Sequence, residues 1–456
     1  MSEARFVCAV IRDRAGRILF ERRSQNVGHF AGLWCTPGGA IDEGETAEEA
    51  IRREIREETG IELSALERMP DVVRRSGTIA FFASHPADHE TRILEPEFID
   101  ELAWFRIDEL PERLVLESVL GLAPLLEDQL LATVVDRTFS ALFYAHAEPL
   151  LRASWPSNGT TDVLFHTVHR TPWRKFRAGI PLLATRGNAA ALLPALAAEV
   201  LFSFFYVYDD LLDGKKIRYG VPTALGALGY DAATEFVNRF EHSFGAWLQT
   251  WPTSIARQKI ATAASKHMTS LRQHEHGRRN GAPVTMAQYE RASAMRTAFL
   301  GWLWEIAAES VDDAALAELW REIYPLCAVV GQLKNDLREL DPQSESYSED
   351  TRSGTITAVT MMLRNLAASI SDDNAAASVH AQVTSRCRDL IATIINAIRD
   401  APIDHDARVV LEAWVHMQFE NGLAAGENMA VIPTATFLRA VARSAEGVDY
   451  SKAHCG

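Results

Sequence analysis

Cysteine is scarce and scattered in this chain. The five cysteines (Cys8, Cys35, Cys327, Cys387, Cys455) form no CxxC pair, so neither a disulfide framework nor a zinc site is indicated. Basic charge is also in deficit: 46 Lys and Arg against 61 Asp and Glu leave a formal net charge of -15. Non-specific binding to nucleic acid or to acidic membranes needs a basic face, and this balance argues against both. The opening residues, MSEARFV, lack the basic and apolar segments of a secretory signal, and the closing AHCG does not fit a prenylation signal. A cytoplasmic location is expected. The most apolar stretch, Ala189 to Tyr208, contains Pro194 and Glu199 and runs into Asp209-Asp210, so it reads as a buried helix and not as a stable membrane span. No Gly/Ser-rich linker, internal repeat or low-complexity tract occurs.

What remains is globular. Hydrophobic residues make up 47% and charged residues 23% of 456 residues, too many for one core, which predicts two or three domains. The first quarter mixes periods. Arg5–Ile11, Ile18–Glu21, Thr78–Ser84 and Leu102–Ile107 read as strands, and Leu33–Thr36 is an apolar run ending at Pro37-Gly38-Gly39. A helix is expected from about Thr46, with Glu49 three residues on as in a capping box. From about Glu117 the strand signals stop and Ala- and Leu-rich helical stretches take over. The expected division is 1–131, a mixed α/β domain, and 132–456, an all-α domain. With no linker between them, the two are expected to pack closely.

Two motifs carry chemistry. The first is Gly39-Ala-Ile-Asp-Glu-Gly-Glu45, seven residues, then Arg53-Glu54-Ile55-Arg56-Glu57-Glu58-Thr59-Gly60-Ile61. Glu54, Glu57 and Glu58 stand at i, i+3 and i+4, on one face of a helix, where like charges repel unless a divalent cation sits among them. One such cluster alone is more often a solvated acidic helix; nine matched positions at fixed spacing are not. The segment resembles the Nudix box. That resemblance implies a Nudix fold, Glu54, Glu57 and Glu58 as ligands of Mg²⁺ (Mn²⁺ an acceptable substitute), one carboxylate helping to activate water, and Arg53 orienting them. With Gly32-Leu33-Trp34, Glu97 and Trp104, it looks most like small hydrolases of nucleotides and prenyl diphosphates. Glu97 is either a further ligand or a surface residue.

The second motif is split. Asp209-Asp210-Leu-Leu-Asp213 closes the apolar helix, and Gln332-Leu-Lys-Asn335-Asp336-Leu-Arg-Glu339 lies far downstream. Three carboxylates at the end of a buried helix are costly without cations. Two such clusters facing each other across a bundle would hold metal ions and a diphosphate between them. The order and spacing of these pieces resemble the trans-isoprenyl diphosphate synthases, with class I terpene synthases close by. The resemblance implies a helical bundle that takes prenyl diphosphates, a homodimer through that bundle, and Asp209, Asp210, Asp213, Asp336 and Glu339 on Mg²⁺. It also implies diphosphate contacts from Arg174, Arg177, Arg218, Arg296, Thr297 and Gln332, with Asp209 and Asp210 central to catalysis.

Departures from that family bear on the reaction. Phe202 stands for a His and Tyr219 for an Arg of the isopentenyl diphosphate site, and the late Lys of a Gly-Lys-x-Thr segment is not evident near Ser353-Gly354-Thr355. Ionisation of an allylic diphosphate, followed by cyclisation, elimination or transfer, is therefore expected over elongation. Phe204 and Phe205 precede Asp209 by about one helical turn of about 5.4 Å. They floor a prenyl-chain pocket or simply pack the core. His166, His169, His274 and His276 read as solvated or core histidines.

Overall fold

The computed structural model describes residues 4–27, 30–63, 65–74, 77–84, 91–111, 113–125, 131–170, 175–218, 220–280, 285–341, 357–366, 372–420 and 434–445. Arg174, Tyr219 and 353–355 lie outside them, as do the side chains of Glu339, His274 and His276.

The first quarter is two small sheets with one helix packed against them. β1 (Ala4–Ile11) runs parallel to β6 (Gly77–Ser84), which also pairs antiparallel with β4 (Glu67–Arg68) and β5 (Val72–Arg74). β2 (Ile18–Arg23) lies between β3 (Trp34–Cys35) and β7 (Ile99–Phe105), antiparallel to both. Helix α1 (Ala47–Thr59) begins at a capping box: the Thr46 hydroxyl accepts from the Glu49 N–H, and the Glu49 carboxylate accepts from the Thr46 N–H. It ends at Gly60, whose φ of 73° suits glycine. Its apolar stripe of Ala50, Ile51 and Ile55 packs on Val7, Ala9 and Phe82 of one sheet and Leu19 of the other.

The remainder is helical. After α2 (Leu116–Leu122) come α3 (Leu131–Leu142), α4 (Glu148–Ser154), α5 (Thr161–His169) and α6 (Phe176–Ala184). The bundle then builds on α7 (Leu192–Asp213), α8 (Ala224–Leu228), α9 (Tyr230–Gln249), α10 (Ile255–Asn280), α11 (Met286–Arg296), α12 (Ala298–Glu309) and α13 (Ala314–Leu337). Helices at Ala358–Leu366, Asp372–Asp400, His405–Val415 and Thr434–Ala445 follow. The segment Ala189–Asp213 is long and apolar enough to cross a membrane, but 83% of its most apolar window is buried, as befits a bundle's central helix. A short two-stranded ribbon, Ile217–Arg218 with Val221–Pro222, follows it and was not foreseen.

One apolar cluster joins the sheet to the bundle. It runs from Val10, Phe20 and Phe81 through Leu116 and Val119 to Val134 and Phe139. Gly121 lies so close to the Phe81 ring that any side chain there would collide with it. The helix Thr434–Ala445 also returns to pack beside β5.

Candidate functional site

In the N-terminal site, Arg53 is the organising cation. Its Nε donates to Glu45 Oε1 (3.0 Å), Nη1 to Glu54 Oε1 (2.9 Å) and Glu57 Oε2 (3.1 Å), and Nη2 to the Ala40 carbonyl (3.0 Å). Glu54 and Glu57 thus share one guanidinium. Glu58 turns inward, where it is buried and accepts the Gly38 N–H at 3.0 Å. There it meets Glu21, a β2 residue that sequence reasoning did not single out, whose carboxylate also accepts from the Cys35 thiol at 3.2 Å. Burial raises the Glu58 carboxyl well above the usual range, and the charges of Glu21 and Glu54 add to it. Burial likewise raises Glu21, to about 7, against the pull of Cys35 and Arg23. Burial also raises Glu54, opposed by Arg53 and reinforced by Glu57 and Glu95.

These carboxylates crowd a space short of positive charge, and a divalent cation suits that deficit. The loop is shaped for it: a Cβ at Gly39 would strike the Glu54 carboxylate, and one at Gly38 would strike the Val7 carbonyl. Among the described residues, no three acidic, imidazole or thiol side chains converge as a ready cage. Arg53 on one side and the Glu21 contact on the other draw Glu57 and Glu58 apart. Glu97 is exposed on the turn before β7.

The second site is a cavity of about 180 Å³ in the helical bundle. Phe202, Phe205, Tyr206, Leu300, Trp414 and Phe419 line its apolar part, and Asp209, Arg218, Arg296, Thr297, Gln332 and Asn335 its polar part. All four oxygens of the Asp209-Asp210 pair are held by guanidinium groups. Arg296 Nη2 reaches Asp209 Oδ1 at 2.6 Å, Arg218 Nη2 reaches Asp209 Oδ2 at 2.8 Å, and Arg218 Nε reaches Asp210 Oδ1 at 2.9 Å. Arg170 Nη1 takes Asp210 Oδ2 at 3.0 Å. Burial pushes the Asp210 carboxyl up, and Arg218 and Arg170 pull against it. Charges this deeply buried persist only because they are paired.

The other expected residues separate into groups. Arg177 lines the cavity with its guanidinium 3.8 Å from the Phe202 ring centroid and 3.6 Å from Glu199. Thr297, Gln332 and Phe205 also line it. Phe204 does not: it is core, packed on Phe240 at 4.5 Å and on Tyr208. Asp213 is exposed at the end of α7, and Asp336 is buried in hydrogen bonds to Gln332, Tyr289 and the Ala358 N–H while its neighbour Asn335 faces the cavity. Lys175, next to Arg174, is buried beside the Phe143 and Tyr144 rings, away from the cavity. Arg170 was missed because a lone Arg after a histidine-bearing helix has no spacing signal. His166 contacts the Pro222 carbonyl and His169 the Glu148 carboxylate, so neither faces a metal cluster.

With this geometry described, comparisons with known proteins bear on each half. The family model of the NUDIX domain matches residues 3–127. A nucleoside triphosphatase NudI from Enterobacter sp. (strain 638) is 41% identical over 68 residues, which are 14% of this chain and 48% of that protein. The chain thus spans about half the length of the curated relatives it matches. A decaprenyl diphosphate synthase from Rhodobacter capsulatus superimposes with a TM-score of 0.52 at 17% identity, covering 65% of this chain and 99% of that one. A geranylgeranyl pyrophosphate synthase from Lactobacillus brevis ATCC 367 gives 0.50 at 18% identity, covering 64% and 97%. The chain carries a NUDIX domain over residues 3–127, continued by a helical region that has the fold of the prenyl diphosphate synthases.

Proposed function

We propose that this is a bifunctional isoprenoid enzyme, divided near residue 132. The helical cavity takes a short allylic prenyl diphosphate, and the Nudix site hydrolyses the diphosphate of its substrate or product to a monophosphate. The observation that carries this reading is the cavity's mixed lining: the arginines paired with Asp209 lie over the Phe205 and Tyr206 rings, so cationic N–H groups and an apolar wall share one space. A diphosphate suits Arg218, Arg296 and Gln332, and a prenyl chain suits Phe205, Leu300 and Phe419. Phe202, which stands for a His of the isopentenyl diphosphate site in the family the chain resembles, lies with its ring against Arg177, which supports a reaction without a second diphosphate. Ionisation followed by cyclisation, elimination or transfer is accordingly favoured over chain extension.

Mg²⁺, with Mn²⁺ as a substitute, would be held by Glu54, Glu57 and Glu58 in one site; in the other, Asp209 and Asp210 would hold it only as a bound diphosphate draws Arg218 and Arg296 off their oxygens, and the ion would supply neutralisation of phosphate charge. The chain's own residues do the remaining work. Arg53 orients Glu54 and Glu57, and the aromatic walls exclude water. The lip beside the Nudix glutamates supports a prenyl tail over a base: Leu94, whose N–H donates to the Glu58 carbonyl, is 53% exposed, and Phe98 is 43% exposed. A homodimer through the helical region, a cytoplasmic location and no nucleic-acid partner complete the proposal. The NudI relatives favour a second reading, in which a nucleotide hydrolase is fused to a chain-elongating synthase.

Product analysis by mass spectrometry separates the two. Purified protein with Mg²⁺ is given geranyl or farnesyl diphosphate, with and without isopentenyl diphosphate, as wild type, Glu57→Gln and Asp209→Asn. A hydrocarbon, alcohol or cyclised phosphate formed without isopentenyl diphosphate, and monophosphate lost in Glu57→Gln, are the expected results. A longer diphosphate that needs isopentenyl diphosphate and disappears in Asp209→Asn would establish the second reading instead.

A further inference from the structure

The second acidic motif does something in this fold that its spacing does not suggest. Successive residues on a helix point about 100° apart, at 3.6 residues per turn. At the end of α13 this rotation leaves Asn335 lining the cavity and carries Asp336 behind it, where it is 1% exposed. Both Asp336 oxygens are engaged there. Oδ1 accepts from Gln332 Nε2 at 2.9 Å; Oδ2 accepts from the Tyr289 hydroxyl and from the Ala358 N–H at 2.9 Å. These donors come from α13, α11 and the start of the helix Ala358–Leu366.

The chemistry of the chain fixes its direction. An ionised carboxylate only accepts, so Gln332 must present its NH₂ to Asp336 and its carbonyl to the other side. Arg296 only donates, and its Nη1 meets that carbonyl, Gln332 Oε1, at 3.0 Å. Arg296 then reaches Asp209 with Nη2 at 2.6 Å. The polarity thus runs without a break from Asp336 through Gln332 to Arg296 and the first acidic motif.

We infer that Asp336 is a positioning residue and not a metal ligand: it orients the Gln332 amide, and the Gln332 amide holds the Arg296 guanidinium at the cavity wall. The cavity-facing place in the second motif belongs to Asn335, a neutral amide. Diphosphate charge on that side is met by Arg296. The inference rests on the reading that this cavity holds a diphosphate. A nearly isosteric Asn at 336 keeps one carbonyl and gains an NH₂; because the Ala358 N–H can only donate, it claims the carbonyl and the NH₂ is left facing Gln332, which needs an acceptor. It leaves either two NH₂ groups opposed or the Gln332 amide reversed with its NH₂ against Arg296.

The test uses full-length protein with Mn²⁺ and methylenediphosphonate, a diphosphate analogue that hydrolysis cannot cleave. Calorimetry gives affinity, and electron paramagnetic resonance counts Mn²⁺ per chain at saturation. Binding that Arg296→Met weakens identifies the helical site. Asp336→Asn is expected to weaken that binding on the order of tenfold, the loss of one charge-assisted hydrogen bond, with the Mn²⁺ count unchanged. Adding Asp336→Asn to Arg296→Met is expected to cost nothing more, because the two act through one link. Gln332→Leu cuts the same link and should behave alike, which covers the case in which Asp336→Asn fails to fold. A Mn²⁺ count that drops by one in Asp336→Asn, or losses that simply add, overturns the inference and leaves the diphosphate site standing. Methylenediphosphonate binding indifferent to Arg296→Met removes the site itself and the inference with it.

Discussion

Glu148 is the residue whose loss should be felt most at the junction of the two halves. It lies in α4 with its side chain 3% exposed. It accepts from Arg113, in the segment after the last strand, at 3.1 Å, from Arg152 at 2.8 Å and from the His169 ring at 2.8 Å. Burial alone would push its carboxyl up. The hydrogen bond and charge of His169, with Arg113 and Arg152, outweigh that and hold it at about 2 against an ordinary 4.5. That depression corresponds to about 3 kcal/mol of folded-state stability, since one unit is about 1.4 kcal/mol. The sign follows from the direction. A depressed carboxyl contributes fully above its unfolded value and loses its contribution as pH falls from 4.5 toward 2. Glu148→Gln is therefore expected to lower stability in urea unfolding by about 3 kcal/mol at pH 7, and by somewhat less at pH 4. A loss below about 1 kcal/mol at pH 7, or a gap that widens on acidification, would refute the argument.

Two further outcomes follow from the sites. Arg53→Ala should reduce phosphate release by the Nudix half on the order of a hundredfold with little change in melting temperature, because Arg53 is partly exposed and its role is to align Glu54 and Glu57; full activity in a colorimetric phosphate assay would exclude that role. Phe205→Ala should lengthen the prenyl chain the cavity accepts, whereas Phe204→Ala should leave product length alone and cost about 3–5 kcal/mol of stability as a core cavity. Mass spectrometry with thermal melts checks the pair, and a product shift from Phe204→Ala would contradict the placement.

Much of this architecture was legible because local signals and global fold agree. Thr46 and Glu49 mark the start of α1 in sequence and form its capping box in space. The apolar run before Asp209 becomes the buried helix it suggested. What escaped notice had no periodicity to show. β4 and β5 are two and three residues long, too short for alternation to register. Arg170 and Glu21 act through residues 40 and 37 positions away, Asp210 and Glu58. Spacing also brought Asn335 and Asp336 to the right helix without saying which of them faces the cavity.

The same limit explains why the basic segment at 174–177 divides as it does. Lys175 and Arg177 are two residues apart, hence on opposed sides of the chain as it enters α6. Lys175 turns into a pocket of aromatic rings, where an ammonium is tolerated over π faces, while Arg177 turns to the cavity and lies on Phe202. A guanidinium stacks flat on a ring and still presents N–H edges; an ammonium on a flexible stem does not. Interchanging the two would put a strongly hydrated point charge against Phe202 and Glu199 and a bulky fork between Phe143 and Tyr144. The type of cation at each position is therefore set by the surface it must cover as much as by the charge it carries, and only Arg177 is shaped to meet both Glu199 and an aromatic wall at the cavity.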